Sequence, residues 1–280
     1  MRAQVAYPIV VPETIPDSKY YEYIINDYGT YAGIFDYPKG DAMIGRIKDV
    51  GGQGCTNKLY GYGNKTFWIV AGADQISLYA APNTLIRSLS DSIGAPSSCG
   101  MNLQGDLAVG ILYGTDGGDV IVFKDAMGKG KQYKTPLSRE YFDGYDPTGN
   151  LFADGFNSSY EFELTELLKG GRKFVPVTTS NTVEFPGSVQ WDGKYLDVTD
   201  QGTEEIYRYT EKGTKLTLHD TILLSGSSDC AQTWIATDVV YCADAGTNVG
   251  YVFKYPAGGS PIATFTGRFA LPLGTVAVGR

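Results

Sequence analysis

The chain carries a single histidine, His219, in 280 residues. That scarcity sets aside histidine-rich metal sites and weakens any serine–histidine–aspartate arrangement, because each needs an imidazole at the reacting centre. Cysteine is nearly as sparse, with four residues and no Cys-x-x-Cys or Cys-x-x-His spacing, so zinc is not expected. No run of about 18 apolar residues occurs, and no membrane-spanning helix is expected. The stretch Val5 to Pro12 is apolar but short and broken by proline, a poor signal-peptide core. If the protein is exported, the expectation is that a leader has already been removed. A basic excess is also missing. Lys and Arg number 23 against 31 Asp and Glu, a formal net charge of −8, which argues against nucleic acid and anionic membrane surfaces as partners. No phosphate-cradling loop is found, since Gly128-Lys129-Gly130-Lys131 lacks a strand–loop–helix setting and reads as a turn.

What the chain does have is 36 glycines and 21 tyrosines with only 19% charged residues, a composition suited to many short strands joined by turns. Strand-like segments recur with a fixed period. An innermost strand is predicted to start at Cys55, Cys99, Tyr141, Phe185, Cys230 and Leu271, with spacings of 44, 42, 44, 45 and 41 residues. The turns that follow read Tyr62-Gly63-Asn64, Thr148-Gly149-Asn150, Asp192-Gly193-Lys194 and Ala236-Thr237-Asp238, residues that tolerate positive φ in tight hairpins. The second strand of each repeat is an apolar run, as expected of a strand buried on both faces. Four of these runs end in aspartate: Asp27, Asp154, Asp200 and Asp244. A carboxylate there can accept from backbone N–H groups of the next turn. Third strands such as Tyr251 to Tyr255 carry aromatics, and fourth strands are the least regular. Glu163 to Lys169 fits either a strand or a helical turn.

The last strand, Leu271 to Val278, has no partner after it. The segment Tyr20 to Asp27 supplies one, and together they complete one more repeat. These observations predict an all-β fold, a six-bladed β-propeller of four-stranded antiparallel blades, its ring closed by the C-terminal strand pairing with N-terminal strands. Residues 1–18 are expected to form an extended arm, and 19–280 a single propeller domain.

Cys230 and Cys242 flank a hairpin centred on residue 236 and are expected to lie directly opposite one another, within reach of a disulfide. Cys55 and Cys99 hold equivalent positions in neighbouring repeats, so a second bridge is open. This pattern favours an oxidising compartment, extracellular or periplasmic, over four buried thiols in a cytosolic protein.

The segment Val239 to Asn248, followed by Tyr251 to Pro256, resembles an NHL-type repeat: a strand ending Ala-Asp, a short turn with Asn, then a strand ending Val-Phe. Tyr23 to Pro38, Leu151 to Leu164 and Tyr195 to Tyr209 are looser versions. The resemblance implies either a scaffold that binds proteins or glycans, or an enzyme similar to the gluconolactonase and strictosidine-synthase groups. Enzymes similar to gluconolactonase hold a divalent cation such as calcium with Glu, Asn and Asp from inner strands. The matching positions, two residues into each inner strand, are Asn57, Met101, Asp143, Gly187, Gln232 and Leu273, of which three cannot ligate through a side chain.

Loops entering the channel mouth are expected to carry Asp49, Asp91, Arg139, Glu140, Asp143, Glu184, Asp229 and Arg268. Asp143 and Glu184 are the catalytic candidates, and Glu140 with Asp143, or Glu184 across the mouth, could act as an acid–base pair. Asn57, Gln232 and Glu140 are the ligand-binding candidates. His219 falls on an outer strand, three spacings or roughly 14 Å from the innermost one, too far to serve the axis. The tyrosines suit packing between blades, and where clustered and exposed they suit a glycan or a protein partner. The expected function is a secreted, monomeric, non-catalytic binding scaffold for a protein or glycan. The alternative is a lactonase-like or other hydrolytic enzyme taking a small-molecule ligand in the channel mouth.

Overall fold

The computed structural model describes residues 20–26, 31–38, 42–57, 63–71, 75–90, 94–114 and 117–279. The expected arm over residues 1–18, and Asp27, Tyr62 and Asp91, lie outside the described residues.

Strands follow one another as antiparallel meanders. The first contains β1 (Tyr20–Asn26), β2 (Tyr31–Phe35) and β3 (Met43–Lys48). Next come β4 (Gln53–Cys55), β5 (Thr66–Ala71), β6 (Gln75–Ala80) and β7 (Thr84–Leu89). Then follow β8 (Pro96–Met101), β9 (Leu107–Ile111), β10 (Asp119–Phe123) and β11 (Lys131–Lys134). The chain continues through β12 (Arg139–Tyr145), β13 (Leu151–Phe156), β14 (Phe162–Leu167) and β15 (Val175–Thr179). After these stand β16 (Val189–Trp191), β17 (Leu196–Asp200), β18 (Glu205–Lys212) and β19 (Lys215–Leu223). The last are β20 (Cys230–Ala236), β21 (Val239–Asp244), β22 (Val249–Lys254), β23 (Gly258–Phe265) and β24 (Pro272–Gly279). The one helical element among the described residues is a 3-10 turn at Lys124–Ala126.

The sheet orders are β24-β1-β2-β3, β4-β5-β6-β7, β11-β10-β9-β8 and β20-β21-β22-β23, with one eight-stranded sheet, β12-β13-β14-β15-β19-β18-β17-β16. The last joins two meanders through a short parallel contact of their outer strands, Thr178 with Lys215 and Thr179 with Leu216. The C-terminal β24 pairs antiparallel with β1, Tyr23 opposite Val276, so the two ends of the described chain share one sheet. The arrangement is all-β and propeller-like. First strands pack side by side: β24 against β4, β4 against β8, β8 against β12, β12 against β16 and β20 against β24.

This order follows from where apolar side chains are placed. Second strands such as β9, β13 and β21 are buried along their whole length, because each is covered by neighbouring sheets on both faces. The apolar groups cluster between sheets. Trp68, Val70, Leu107, Val109 and Phe123 fill one such seam, and Ile206, Ile235, Val240 and Phe253 another. A large side chain buried this completely contributes about 1.5–3 kcal/mol. Outer strands need only one covered face, and β7 is almost wholly exposed. Where inner strands converge there is no room for a side chain: a Cβ on Gly144 would stand 2.1 Å from the Val189 carbonyl oxygen.

Several expectations are corrected. Cys55 ends its strand rather than starting it, and Phe185 stands in the connection before β16, where Asp200 Oδ1 accepts its N–H at 3.0 Å and turns the chain. Glu163 to Leu167 is strand, because β14 is zipped between β13 and β15. Both disulfides are present, but Cys230 and Cys242 are not directly opposite. A bulge between Cys230 and Gln232 sets Cys230 against Asp244 and Cys242 against Thr233, and the bridge runs diagonally with Cα atoms 5.4 Å apart. Cys55–Cys99 joins β4 to β8 across a seam, with Cα atoms 5.8 Å apart.

The polar residue that ends a second strand ties down the approach to the first strand of its own sheet as well as the following turn. Asp244 accepts from Ser228 N at 2.7 Å and Thr247 N at 2.8 Å, and Asp200 from Glu184 N at 2.7 Å and Gly202 N at 2.9 Å. Asn26 does the same in the first sheet, accepting from Ala270 and Leu271 N.

Candidate functional site

An innermost strand is an edge strand, and half of its N–H and C=O groups point away from its sheet. Here those groups face a channel lined by β4, β8, β12, β16 and β20. Side-chain amides occupy the gap. Gln232 Nε2 donates to Gly54 O at 2.9 Å, while its Oε1 accepts from Gly54 N at 3.1 Å and Thr275 N at 2.8 Å. Gln190 does the same for β20, donating to Ile235 O at 3.0 Å and accepting from Ile235 N at 2.8 Å. Ser188 Oγ accepts from Thr233 N at 2.8 Å. Each glutamine acts as a detached peptide group joining strands that do not pair directly.

Glu140 and Asp143 meet beside this channel. Residues three apart on a regular strand point to opposite faces. The bulge between Glu140 and Phe142 shifts the alternation by one residue and puts both carboxyls on the same side. Ser98 Oγ lies 2.9 Å from Glu140 Oε1 and 2.7 Å from Asp143 Oδ2, and Ser97 Oγ donates to Glu140 Oε2 at 3.2 Å. A hydroxyl carries one proton and can donate to only one carboxylate, so the other carboxyl must be protonated and donate to it. Burial, reinforced by the Asp143 charge, pushes Glu140 well above the usual carboxylate range. Burial also raises Asp143 to about 7, against the pull of Ser98 and the Gly110 amide. Glu140 is therefore the protonated partner. Asp154 is pushed well up by burial, although the Gly187 amide donates to it at 3.2 Å. Glu22, hydrogen-bonded by Thr275, is raised in the same way.

The remaining candidates lie apart from this pair. Gln232 lines the channel, with its amide engaged by backbone as described. Glu184 is exposed on the connection held by Asp200. Asn57 follows β4, half-buried and outside the channel lining. Glu140 is buried on β12 rather than placed in a solvated mouth loop, because the bulge turns it inward. The donor set does not fit a calcium ion. Glu140 and Asp143 are bridged by a hydroxyl, and a Cβ on Gly110 would stand 1.9 Å from Glu140 Oε2, so no cradle surrounds the carboxyls. Cys230, Cys242 and Asp244 bring potential ligand atoms within 4.8 Å, but both sulfurs are committed to the disulfide.

Sequence reasoning missed a second proton-sharing centre. Tyr255 Oη lies 2.6 Å from both Asp192 Oδ2 and Asp197 Oδ2. By the same single-proton argument one of the two carboxyls is protonated. It is Asp197, which burial pushes well up, while the Arg208 guanidinium holds Asp192 at 3.1 Å. The Asp192-Gly193 turn was the only sequence signal; Asp197 and Arg208 stand opposite one another on the paired β17 and β18, and Tyr255 reaches them from the turn after β22. His219 is half-exposed on β19, as its outer position implied, with its ring stacked 4.3 Å from Tyr195.

No family model and no curated protein matches the chain. Solved structures do. A chain in the crystal structure of a nidogen/laminin complex aligns with TM-score 0.71 at 12% identity, over 93% of this chain and 98% of that one. Hydrazine synthase of Kuenenia stuttgartiensis aligns with TM-score 0.61 at 13% identity, over 85% and 81%. A functionally unknown protein from Desulfotomaculum acetoxidans aligns with TM-score 0.58 at 10% identity, over 92% and 86%. At these identities the likeness establishes the fold, which is a β-propeller.

Proposed function

We propose that the chain is a six-bladed, NHL-like β-propeller of an extracellular or periplasmic protein, acting as a monomeric, non-catalytic scaffold that presents one face to a protein or glycan. The blade count rests on reading the eight-stranded sheet as two four-stranded blades touching at their rims. Export rests on the two disulfides. The observation that carries the scaffold reading is the use of polar groups at the axis. Gln232, Gln190 and Ser188 satisfy neighbouring backbone and hold the ring together. A propeller of the same fold occurs in a complex between nidogen and laminin, which agrees with a protein-binding role.

A second reading, a hydrolase at the channel mouth, is favoured by one feature. Asp143 titrates near neutrality beside protonated Glu140, and its Oδ1 has no hydrogen-bond partner. A thermal melt in EDTA and then with calcium separates the two. The scaffold reading expects an unchanged melting temperature. A rise of several degrees, abolished by Asp143→Ala, would place an ion at the channel mouth and move the balance to the hydrolase reading.

A further inference from the structure

We infer that an aromatic platform around Arg139 is the docking surface for a protein partner that presents a carboxylate beside an apolar side chain. The platform consists of Tyr113, Arg139, Tyr141, Phe156, Tyr160 and Phe185. The Arg139 guanidinium lies 5.2 Å from the Tyr113 ring centre and 5.0 Å from that of Tyr160, and its Nη2 donates to Tyr160 Oη at 3.1 Å. Phe185 meets Phe156 edge-on at 5.1 Å and Tyr141 at 5.8 Å. Three of these rings remain open to solvent: Tyr160 is 64% exposed, Tyr113 50% and Phe185 39%. The proposal deepens the scaffold reading and rests on it.

Large rings left in water usually reorient freely, but two of these stand on braced loops. Asn157 Oδ1 accepts from Ser159 N at 2.8 Å and Glu161 N at 3.1 Å, fixing the loop that carries Tyr160. Asp200 fixes the connection that carries Phe185. Tyr160 itself is held at φ 61, a left-handed conformation unfavourable to a bulky side chain. Glycine would suit that backbone better, so the tyrosine is present for its ring. Rings and a guanidinium fixed before binding lose little freedom on binding, and Tyr and Arg are the residues that dominate protein-interface energetics. The charge points to the partner's chemistry. In a chain of net charge −8 the centre of this platform is a cation. A guanidinium has five N–H donors in a fork that matches a carboxylate, and its hydrogen bonds here go to Tyr160 and Tyr141. Such a pairing shielded by rings is stronger than one in open water.

The test is selection of a random peptide display library on the immobilised protein, then titration of the enriched peptide against variants. The expected consensus has Asp or Glu next to an aromatic or aliphatic residue. Arg139→Ala should weaken its binding at least tenfold. Tyr160→Gly should weaken it similarly while leaving the melting temperature unchanged or higher, whereas a merely structural tyrosine would lower it. Leu85→Ala, on exposed β7, should leave binding unchanged. Enriched peptides that lack a carboxylate, or that bind both platform variants as well as the wild type, overturn the proposal and leave the scaffold reading standing. An oligosaccharide array run beside the library covers the other class of ligand. Glycans captured in place of peptides, and lost in Tyr160→Gly, overturn the protein partner. Capture of neither class overturns both the platform and the scaffold reading.

Discussion

Asp143→Asn tests the buried proton-sharing centre through the pH dependence of stability. Burial raises Asp143 from 3.8 to about 7 in the folded protein. Between those values the native state binds its proton more tightly than the unfolded chain does, so stability falls as pH rises through the interval and levels off above it. A displacement of that size corresponds to about 4 kcal/mol, a substantial share of a domain's total stability of about 5–15 kcal/mol. The asparagine keeps the shape and carries no titrating group. Its stability relative to the wild type should therefore improve by about 4 kcal/mol from pH 4 to pH 8, almost all of it below pH 7.

The assay is urea unfolding of both proteins, with disulfides intact, at one-unit pH intervals. The difference between the two curves matters, because it removes the contributions of carboxylates that do not feel the Asp143 charge, leaving Asp143 and the neighbours it raises, Glu140 and Asp154. Glu140→Gln serves as a companion. Burial pushes Glu140 well above the usual carboxylate range too, so the gap between that variant and the wild type should also widen as pH rises. A gap between Asp143→Asn and wild type that stays constant with pH, or that narrows as pH rises, would refute the shared-proton argument.

Two other consequences follow from the same inner strands. Removing Cys55–Cys99, with its sequence separation of 44, should cost about 4 kcal/mol, and removing Cys230–Cys242, with a separation of 12, about 3 kcal/mol; thermal melts of the paired serine variants check the order. Gln232→Ala leaves the Gly54 and Thr275 amides facing the channel without their partner and should destabilise by about 3 kcal/mol, read from the urea midpoint without a change in slope.

The ring was legible because its signals are periodic: a spacing near 44 residues, apolar second strands and a polar residue closing them. Strand boundaries were less so. β4 and β16 are three residues long, and the approach to β16 is held out of the sheet by Asp200, which accepts from Glu184 N and Phe185 N. The pairing of Glu140 with Asp143 was readable as proximity along the chain. Its geometry depends on a bulge, which inserts one residue into the alternation and leaves no mark in composition. The diagonal course of Cys230–Cys242 has the same origin. Arg208, Tyr255 and Asp197 could not be grouped beforehand, since their contact joins two paired strands of one sheet to a turn of the next. Tyr160 carries no mark in the sequence that separates it from the tyrosines that pack between blades. Its exposure depends on a positive φ that sequence alone assigns to glycine or asparagine more readily than to tyrosine.

These two kinds of polar and aromatic cost divide by location. The buried ones, Glu140 with Ser98 and Asp143, and Asp197 with Tyr255 and Asp192, join elements from adjacent sheets, so each holds a seam that apolar packing alone would leave free to slide. The exposed one is different. Nothing in the ring requires Tyr113, Tyr160 and Phe185 to stand in solvent, nor Tyr160 to accept a left-handed backbone, and the loops of Tyr160 and Phe185 are nevertheless tied down by Asn157 and Asp200. A structural role accounts for groups that are costly and buried. Groups that are costly, exposed and rigid call for a partner, and that contrast places recognition on the face around Arg139 rather than within the braced channel.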